Sequence, residues 1–126
     1  MRRAALLLLA GLAAFWGCAR KEHPSVRRIG TEELRQLLAA APPPVLLDVR
    51  TPGEFESGHL EGALHVPSHA ITQRLSELEP YRERTVVVYC QSGVRSARVA
   101  ATLAARGWTG VLDYTEGMAG WRKHLP

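Results

Sequence analysis

The chain has 126 residues, which is enough for one domain and too few for two. Its 16 basic and 12 acidic residues give a formal net charge of +4. The basic residues do not alternate with aromatic residues in any run, so we expect no nucleic-acid partner.

The N-terminal residues have the pattern of an export signal. Arg2 and Arg3 precede an uncharged, apolar run over residues 4–16. This run is shorter than the roughly 20 residues that a membrane-spanning helix needs. We therefore predict a signal peptide over residues 1–19 and a polar tether over residues 20–28.

A cysteine near the end of this segment suggests a lipid anchor. Gly17-Cys18 resembles the lipobox of bacterial lipoproteins, in which the cysteine becomes the lipidated first residue. Phe15 stands where that motif usually has leucine, so ordinary cleavage after Ala19 remains an alternative. We expect a periplasmic protein of the bacterial cell envelope, lipid-anchored at Cys18 and touching the membrane only through that anchor.

The first half of the domain alternates short strands with helices. Residues 26–29 predict an edge strand, and Thr31 is the predicted N-cap of a helix that must end before the prolines at 42–44. The apolar residues 45–49 predict a buried strand. A single helical turn is predicted over residues 54–57.

The second half continues this alternation. Residues 63–66 predict a strand, and apolar residues at 71, 75 and 78 predict an amphipathic helix that Pro80 ends. The β-branched residues 85–89 predict the central strand of a parallel sheet. A helix over residues 96–106 with Gly107 as its C-cap, a strand over residues 111–114 and a short helix around Trp121 complete the pattern.

Strands separated by helices predict an α/β fold with a mostly parallel sheet. In such sheets, ligands bind beyond the carboxyl ends of the strands. Cys90 directly follows the predicted central strand. Since Cys18 lies in the signal region, Cys90 is the single free thiol of the mature domain, and its position predicts a chemical role.

The segment that follows the strand is a candidate anion site, here called the cysteine loop (residues 90–96). Its sequence after Cys90 is Gln91-Ser92-Gly93-Val94-Arg95-Ser96. Backbone N–H groups of a tight loop and of a helix N-terminus favour a thiolate over a thiol. We predict that Cys90 is a nucleophile, and that Arg95 adds positive charge at the rim.

The cysteine loop resembles the active-site loop of rhodanese-type sulfurtransferases. Two further stretches are similar to signatures of that family: residues 48–67, which begin Asp-Val-Arg-Thr-Pro-Gly-Glu-Phe, and residues 117–121. The resemblance covers roughly residues 26–126, and we assign a rhodanese-like domain to residues 29–126. It implies a three-layer α/β/α fold with a five-stranded parallel sheet.

The resemblance also implies an activity. Cys90 would take sulfane sulfur from thiosulfate, polysulfide or a persulfide, hold it as a persulfide, and pass it to a thiol, to cyanide or to a protein acceptor. It implies a monomer without a cofactor or metal. Asp48 and Arg50 are expected to support the site, tying the strand end to nearby loops by an ion pair. His59 is expected to fix the local turn rather than to take a direct part in catalysis.

Alternative functions remain open at this point. A cysteine-dependent phosphatase or arsenate reductase has five residues between its cysteine and arginine, whereas four separate Cys90 from Arg95 here. A rhodanese-like sulfur-carrier, binding or regulatory module without fast turnover is the other alternative. Val94 stands where a further cation could have bound a dianion, so thiosulfate is expected to be a poor donor.

Overall fold

The computed structural model describes residue 23 and residues 25–126. The predicted signal peptide and Cys18 lie outside these residues, as does most of the predicted tether. The first strand begins at Arg27, so the last two residues of the predicted tether belong to the sheet.

The sheet has five parallel strands in the order β1-β5-β4-β2-β3. The strands are β1 (Arg27–Ile29), β2 (Val45–Asp48), β3 (Leu64–His65), β4 (Thr85–Tyr89) and β5 (Gly110–Tyr114). The predicted fold is confirmed, with β4 at the centre and β1 at an edge. Since β4 has neighbours on both sides and helices on both faces, its residues 86–89 are all buried.

Among the described residues, four α-helices cover the sheet: α1 (Thr31–Ala39), α2 (Pro52–Glu56), α3 (Val94–Ala105) and α4 (Gly117–Lys123). Leu103 of α3 packs in the core on one face, and Leu34 of α1 and Met118 of α4 pack in the core on the other. In the part of the chain described, no helix has both the length and the apolar character required to cross a membrane.

The prediction of an amphipathic helix through residues 71–78 is wrong in helix type. Two 3₁₀ segments stand there, Ser68–Ala70 and Leu75–Tyr81, and Pro80 lies inside the second. A proline has no N–H to donate, and in an α-helix its ring would clash with the carbonyl four residues earlier. The apolar pattern itself is correct, because Ile71 and Leu78 are buried.

The prediction that Thr31 is an N-cap is also wrong. Gly30 is the N-cap of α1, and Thr31 is the first residue of the helix. The Thr31 hydroxyl instead forms hydrogen bonds with the Tyr114 hydroxyl, at 2.6 Å, and with the Glu116 carboxylate. These partners lie at the end of β5, so the start of α1 is fixed to the same edge of the sheet that carries Cys90.

Candidate active site

Cys90 lies at the carboxyl end of the central strand, immediately after β4. Cys90 is only 1% exposed, but its sulfur faces polar groups of the cysteine loop. The backbone N–H of Gly93 donates to the sulfur at 3.1 Å. The Oγ of Ser96 lies 3.6 Å from the sulfur, where the thiol donates to it and a thiolate would accept from it.

These contacts decide the charge of the sulfur. Burial opposes ionisation and is the largest single influence on the pKa of Cys90. Hydrogen bonds from the Ser96 hydroxyl and from the backbone N–H groups of Ser96, Ser92 and Gly93 together outweigh burial and lower the pKa. The loop therefore favours the thiolate, which is the nucleophilic form.

Two glycines allow the backbone to close around the sulfur. Gly93 is the N-cap of α3 with φ +94°, and a Cβ there would lie 2.4 Å from the Thr115 carbonyl oxygen. Gly117 has φ +62°, and a Cβ there would lie 2.7 Å from the Cys90 carbonyl oxygen. A side chain at either position would displace the loop.

The first turn of α4 holds the loop from behind. The N–H of Met118 donates to the carbonyl oxygen of Cys90 at 2.8 Å, and the N–H of Ala119 donates to that of Gln91 at 3.1 Å. These amides are unpaired at the start of a helix and need acceptors. The carbonyls of the loop therefore point toward α4, which leaves the amides of the loop free to face the sulfur.

Asp48 and Arg50 form a buried ion pair beside the loop, and both side chains are 0% exposed. The Arg50 Nη2 donates to Asp48 Oδ2 at 2.8 Å and to the carbonyl of Gly58 at 2.7 Å. The Arg50 Nη1 donates to Gln91 Oε1 at 3.3 Å. The expected ion pair is thus present, and through Gln91 it reaches the cysteine loop.

Arg95 lies on the first turn of α3, but its guanidinium is already paired. It donates to both carboxylate oxygens of Glu54, at 2.7 and 2.9 Å. Hydrogen bonds from Arg95 and from Thr51 lower the pKa of Glu54 from its ordinary value of 4.5 to about 2, against the opposing effect of burial. The predicted positive rim is therefore an ion pair at neutral pH.

The remaining loop residues differ in exposure. Ser96 is fully buried, whereas Val94 is 62% exposed. Ser92, Gly93 and Val94 line a cleft of about 730 Å³ that continues toward Arg98 on α3. Such a volume accommodates an organic molecule as well as a small anion.

His59 contacts the helix before it. Its Nδ1 donates to the carbonyl of Phe55 at 2.9 Å, and its ring stacks on that of Phe55 at 3.7 Å. This contact fits a role in fixing the turn. Within residue 23 and residues 25–126, no cluster of three or more His, Cys, Asp or Glu side chains is placed to bind a metal ion.

Sequence reasoning missed two parts of the site. Glu54 was interpreted as part of a turn, although it pairs with Arg95, and the backbone of α4 was not connected with the loop. The first contact can be inferred once the order of the strands is known. Glu54 and Arg95 lie in the first turns of helices that follow the adjacent strands β2 and β4, so both leave the same edge of the sheet.

The chain is similar to known proteins. The family model for the Rhodanese-like domain matches residues 30–124. A sulfurtransferase of Allochromatium vinosum is 39% identical over 99 residues, which are 79% of this chain and 91% of that protein. The thiosulfate sulfurtransferase GlpE of Pseudomonas syringae is 34% identical over 82 residues, or 65% of this chain and 76% of that protein.

A solved structure is similar over the same region. The human single-domain sulfurtransferase superimposes with a TM-score of 0.69 at 25% sequence identity. The superposition covers 79% of this chain and 97% of the human chain. The similarity thus extends over nearly the whole length of a protein that consists of one such domain.

Proposed function

The chain belongs to the family of rhodanese-like domains, and we propose that it is a sulfurtransferase in which Cys90 carries the transferred sulfur as a persulfide. The observation that carries this proposal is the 3.1 Å hydrogen bond from the Gly93 N–H to the Cys90 sulfur. It belongs to a set of donors that lower the pKa of a buried thiol. The same donors would stabilise the terminal sulfur of a persulfide anion.

In the first half of the reaction, the Cys90 thiolate attacks the outer sulfur of a donor such as thiosulfate. A new S–S bond forms to Cys90, the S–S bond of thiosulfate breaks, and sulfite leaves with the bonding electron pair. Cys90 then holds a persulfide anion. No proton moves in this step if the thiol is already ionised, which is what the cysteine loop favours.

In the second half, an acceptor attacks the terminal sulfur of the persulfide. With cyanide, a C–S bond forms, the S–S bond breaks, thiocyanate leaves and the Cys90 thiolate is regenerated. A thiolate acceptor leaves instead as its own persulfide. Two simple displacements thus replace one direct transfer, as in other covalent catalysis.

The test uses the 126-residue chain with Cys18→Ser, so that Cys90 is its only thiol. After incubation with thiosulfate, the intact mass should rise by one sulfur atom, and cyanide should remove the added mass and yield thiocyanate. Cys90→Ala in the same background should neither gain mass nor form thiocyanate, while its circular dichroism spectrum stays unchanged. Sulfur transfer by the Cys90→Ala variant would refute the proposal.

We also propose that the chain is exported and lipid-anchored at Cys18. The support is the sequence pattern of residues 1–19, which lie outside the described residues. In a bacterial host fed labelled palmitate, the wild-type chain should become labelled, and Cys18→Ser should remove the label. An unlabelled wild-type chain found in the soluble periplasmic fraction would instead favour cleavage after Ala19.

A further inference from the structure

The side chain of Glu54 is held in one position, in which it contacts Arg95. It is the third residue of α2 and forms a capping box with Thr51. Its Oε1 accepts from the Thr51 N–H at 3.0 Å, while its own N–H donates to the Thr51 hydroxyl at 3.3 Å. The carboxylate is therefore held in place by its own helix as well as by Arg95.

The pair joins two helices that leave the same edge of the sheet. Arg95 and Glu54 are 41 residues apart in sequence, and both oxygens of the carboxylate are used. Their side chains are 33% and 30% exposed. Paired in this way, the guanidinium has a defined position on the first turn of α3, within the cysteine loop.

This pairing changes the charge at the cysteine loop. Arg50, which donates to Gln91 of the loop, is likewise paired with a carboxylate, that of Asp48. Each pair has no net charge. At the Cys90 sulfur itself, an anion is then stabilised by backbone amides and the Ser96 hydroxyl, which suit a single negative charge on sulfur better than a dianion.

We propose that Glu54 is a positioning residue that sets the class of sulfur donor, because its ion pair with Arg95 reduces the site's attraction for dianionic donors relative to donors of lower charge. This inference rests on the proposed function and refines it. Glu54 does not touch the reacting sulfur and acts through Arg95. Thiosulfate is a dianion, whereas benzenethiosulfonate, which presents the same outer sulfur, carries one charge.

The test compares these two donors in the Cys18→Ser background. Glu54→Gln keeps the length of the side chain and its capping hydrogen bond but removes the charge. It should raise kcat/KM for thiosulfate relative to benzenethiosulfonate about threefold, the effect of one uncompensated charge near the sulfur in partly screened surroundings. Glu56→Gln, an exposed carboxylate on the same helix, is the matched control and should leave the ratio unchanged.

A second measurement needs no sulfur transfer. The ultraviolet absorbance of the Cys90 thiolate against pH gives the pKa directly. Glu54→Gln should lower this pKa, Arg95→Gln should raise it by leaving the Glu54 carboxylate unpaired, and the double variant should lie near wild type. If Glu54→Gln does not fold, the opposite shift in Arg95→Gln still tests the coupling.

The outcomes separate the two proposals. An unchanged donor ratio and an unchanged thiolate pKa in Glu54→Gln, or a double variant that resembles Glu54→Gln, would overturn the role of Glu54. A chain in which the thiolate pKa responds as expected but no persulfide forms would refute sulfur transfer and leave the charge coupling intact.

Discussion

An arginine–carboxylate ion pair lies on each side of the cysteine loop, and the two pairs differ in how deeply they are buried. On one side, Arg50 binds Asp48 with both side chains fully buried. On the other side, Arg95 binds Glu54 with about a third of each side chain exposed. A buried pair cannot lose one partner without leaving a charge in a medium that solvates it poorly, whereas an exposed pair can.

The difference in burial indicates that the Asp48–Arg50 pair is architectural, meaning that the fold depends on it, and that the Glu54–Arg95 pair can be altered without loss of the fold. Arg50 also donates to the carbonyl of Gly58 and to Gln91, so it joins three segments of chain. Arg95 donates through two of its nitrogens to one partner, Glu54. We therefore expect substitutions on the Arg50 side to change stability, and substitutions on the Arg95 side to change reactivity.

Arg50→Met is expected to have the largest effect on stability. The variant leaves Asp48 buried without its partner, so the free energy of unfolding should fall by about 3–5 kcal/mol. Urea denaturation followed by circular dichroism measures the loss. Arg106→Met, at an exposed position near the end of α3, is the control and should change little. A loss no larger than that of the control would contradict the architectural role.

The Ser96→Ala variant tests a contribution to the stability of the thiolate that does not depend on either ion pair. The Ser96 hydroxyl is one of the groups that lower the pKa of Cys90. Its removal should raise that pKa and reduce the thiolate fraction at neutral pH, as read from the pH profile of thiolate absorbance. Ser92→Ala, whose side chain is exposed, keeps its backbone N–H and should retain the wild-type profile.

Arg95→Ala should separate stability from reactivity. An ion pair with this exposure contributes about 0–1 kcal/mol, so the free energy of unfolding should fall by no more than that. The rate with thiosulfate should fall more than the rate with an uncharged donor such as elemental sulfur in micelles, because the Glu54 carboxylate then stands alone. Equal losses for both donors would contradict an electrostatic role.

The smallest expected effect is the pH dependence of the exposed pair. The pKa of Glu54 is about 2 in the folded chain and 4.5 ordinarily, so the pair stabilises the fold above about pH 4.5. That contribution is lost as the pH falls from 4.5 to about 2. The stability difference between wild type and Glu54→Gln, measured by urea denaturation, should therefore shrink over this interval.

Local patterns in the sequence were sufficient for the parts of the fold that depend on neighbouring residues. The β-branched run of β4 and the position of Cys90 after it were predicted correctly, since a buried central strand needs apolar residues on both faces. The ion pair of Asp48 and Arg50 could also be predicted from the sequence, because these residues are two positions apart at the end of a strand.

Contacts between segments that are distant in sequence could not be predicted from local patterns. The partner of Arg95 is 41 residues away, and the partner of the Thr31 hydroxyl, Tyr114, is 83 residues away. Capping preferences predicted that Thr31 is an N-cap, but its hydroxyl forms tertiary hydrogen bonds instead. The 3₁₀ segment around Pro80 has the apolar spacing of an α-helix, and spacing alone does not distinguish the two.

The hydrogen bonds from Met118 and Ala119 to the carbonyls of Cys90 and Gln91 have a practical consequence for anyone handling the protein. Because of these hydrogen bonds, α4 supports the backbone that surrounds the Cys90 sulfur. We expect a truncation that enters α4, or a purification tag fused close behind it, to alter the conformation of the cysteine loop. Loss of activity in such a preparation would then reflect the cloning strategy and not the chemistry of Cys90.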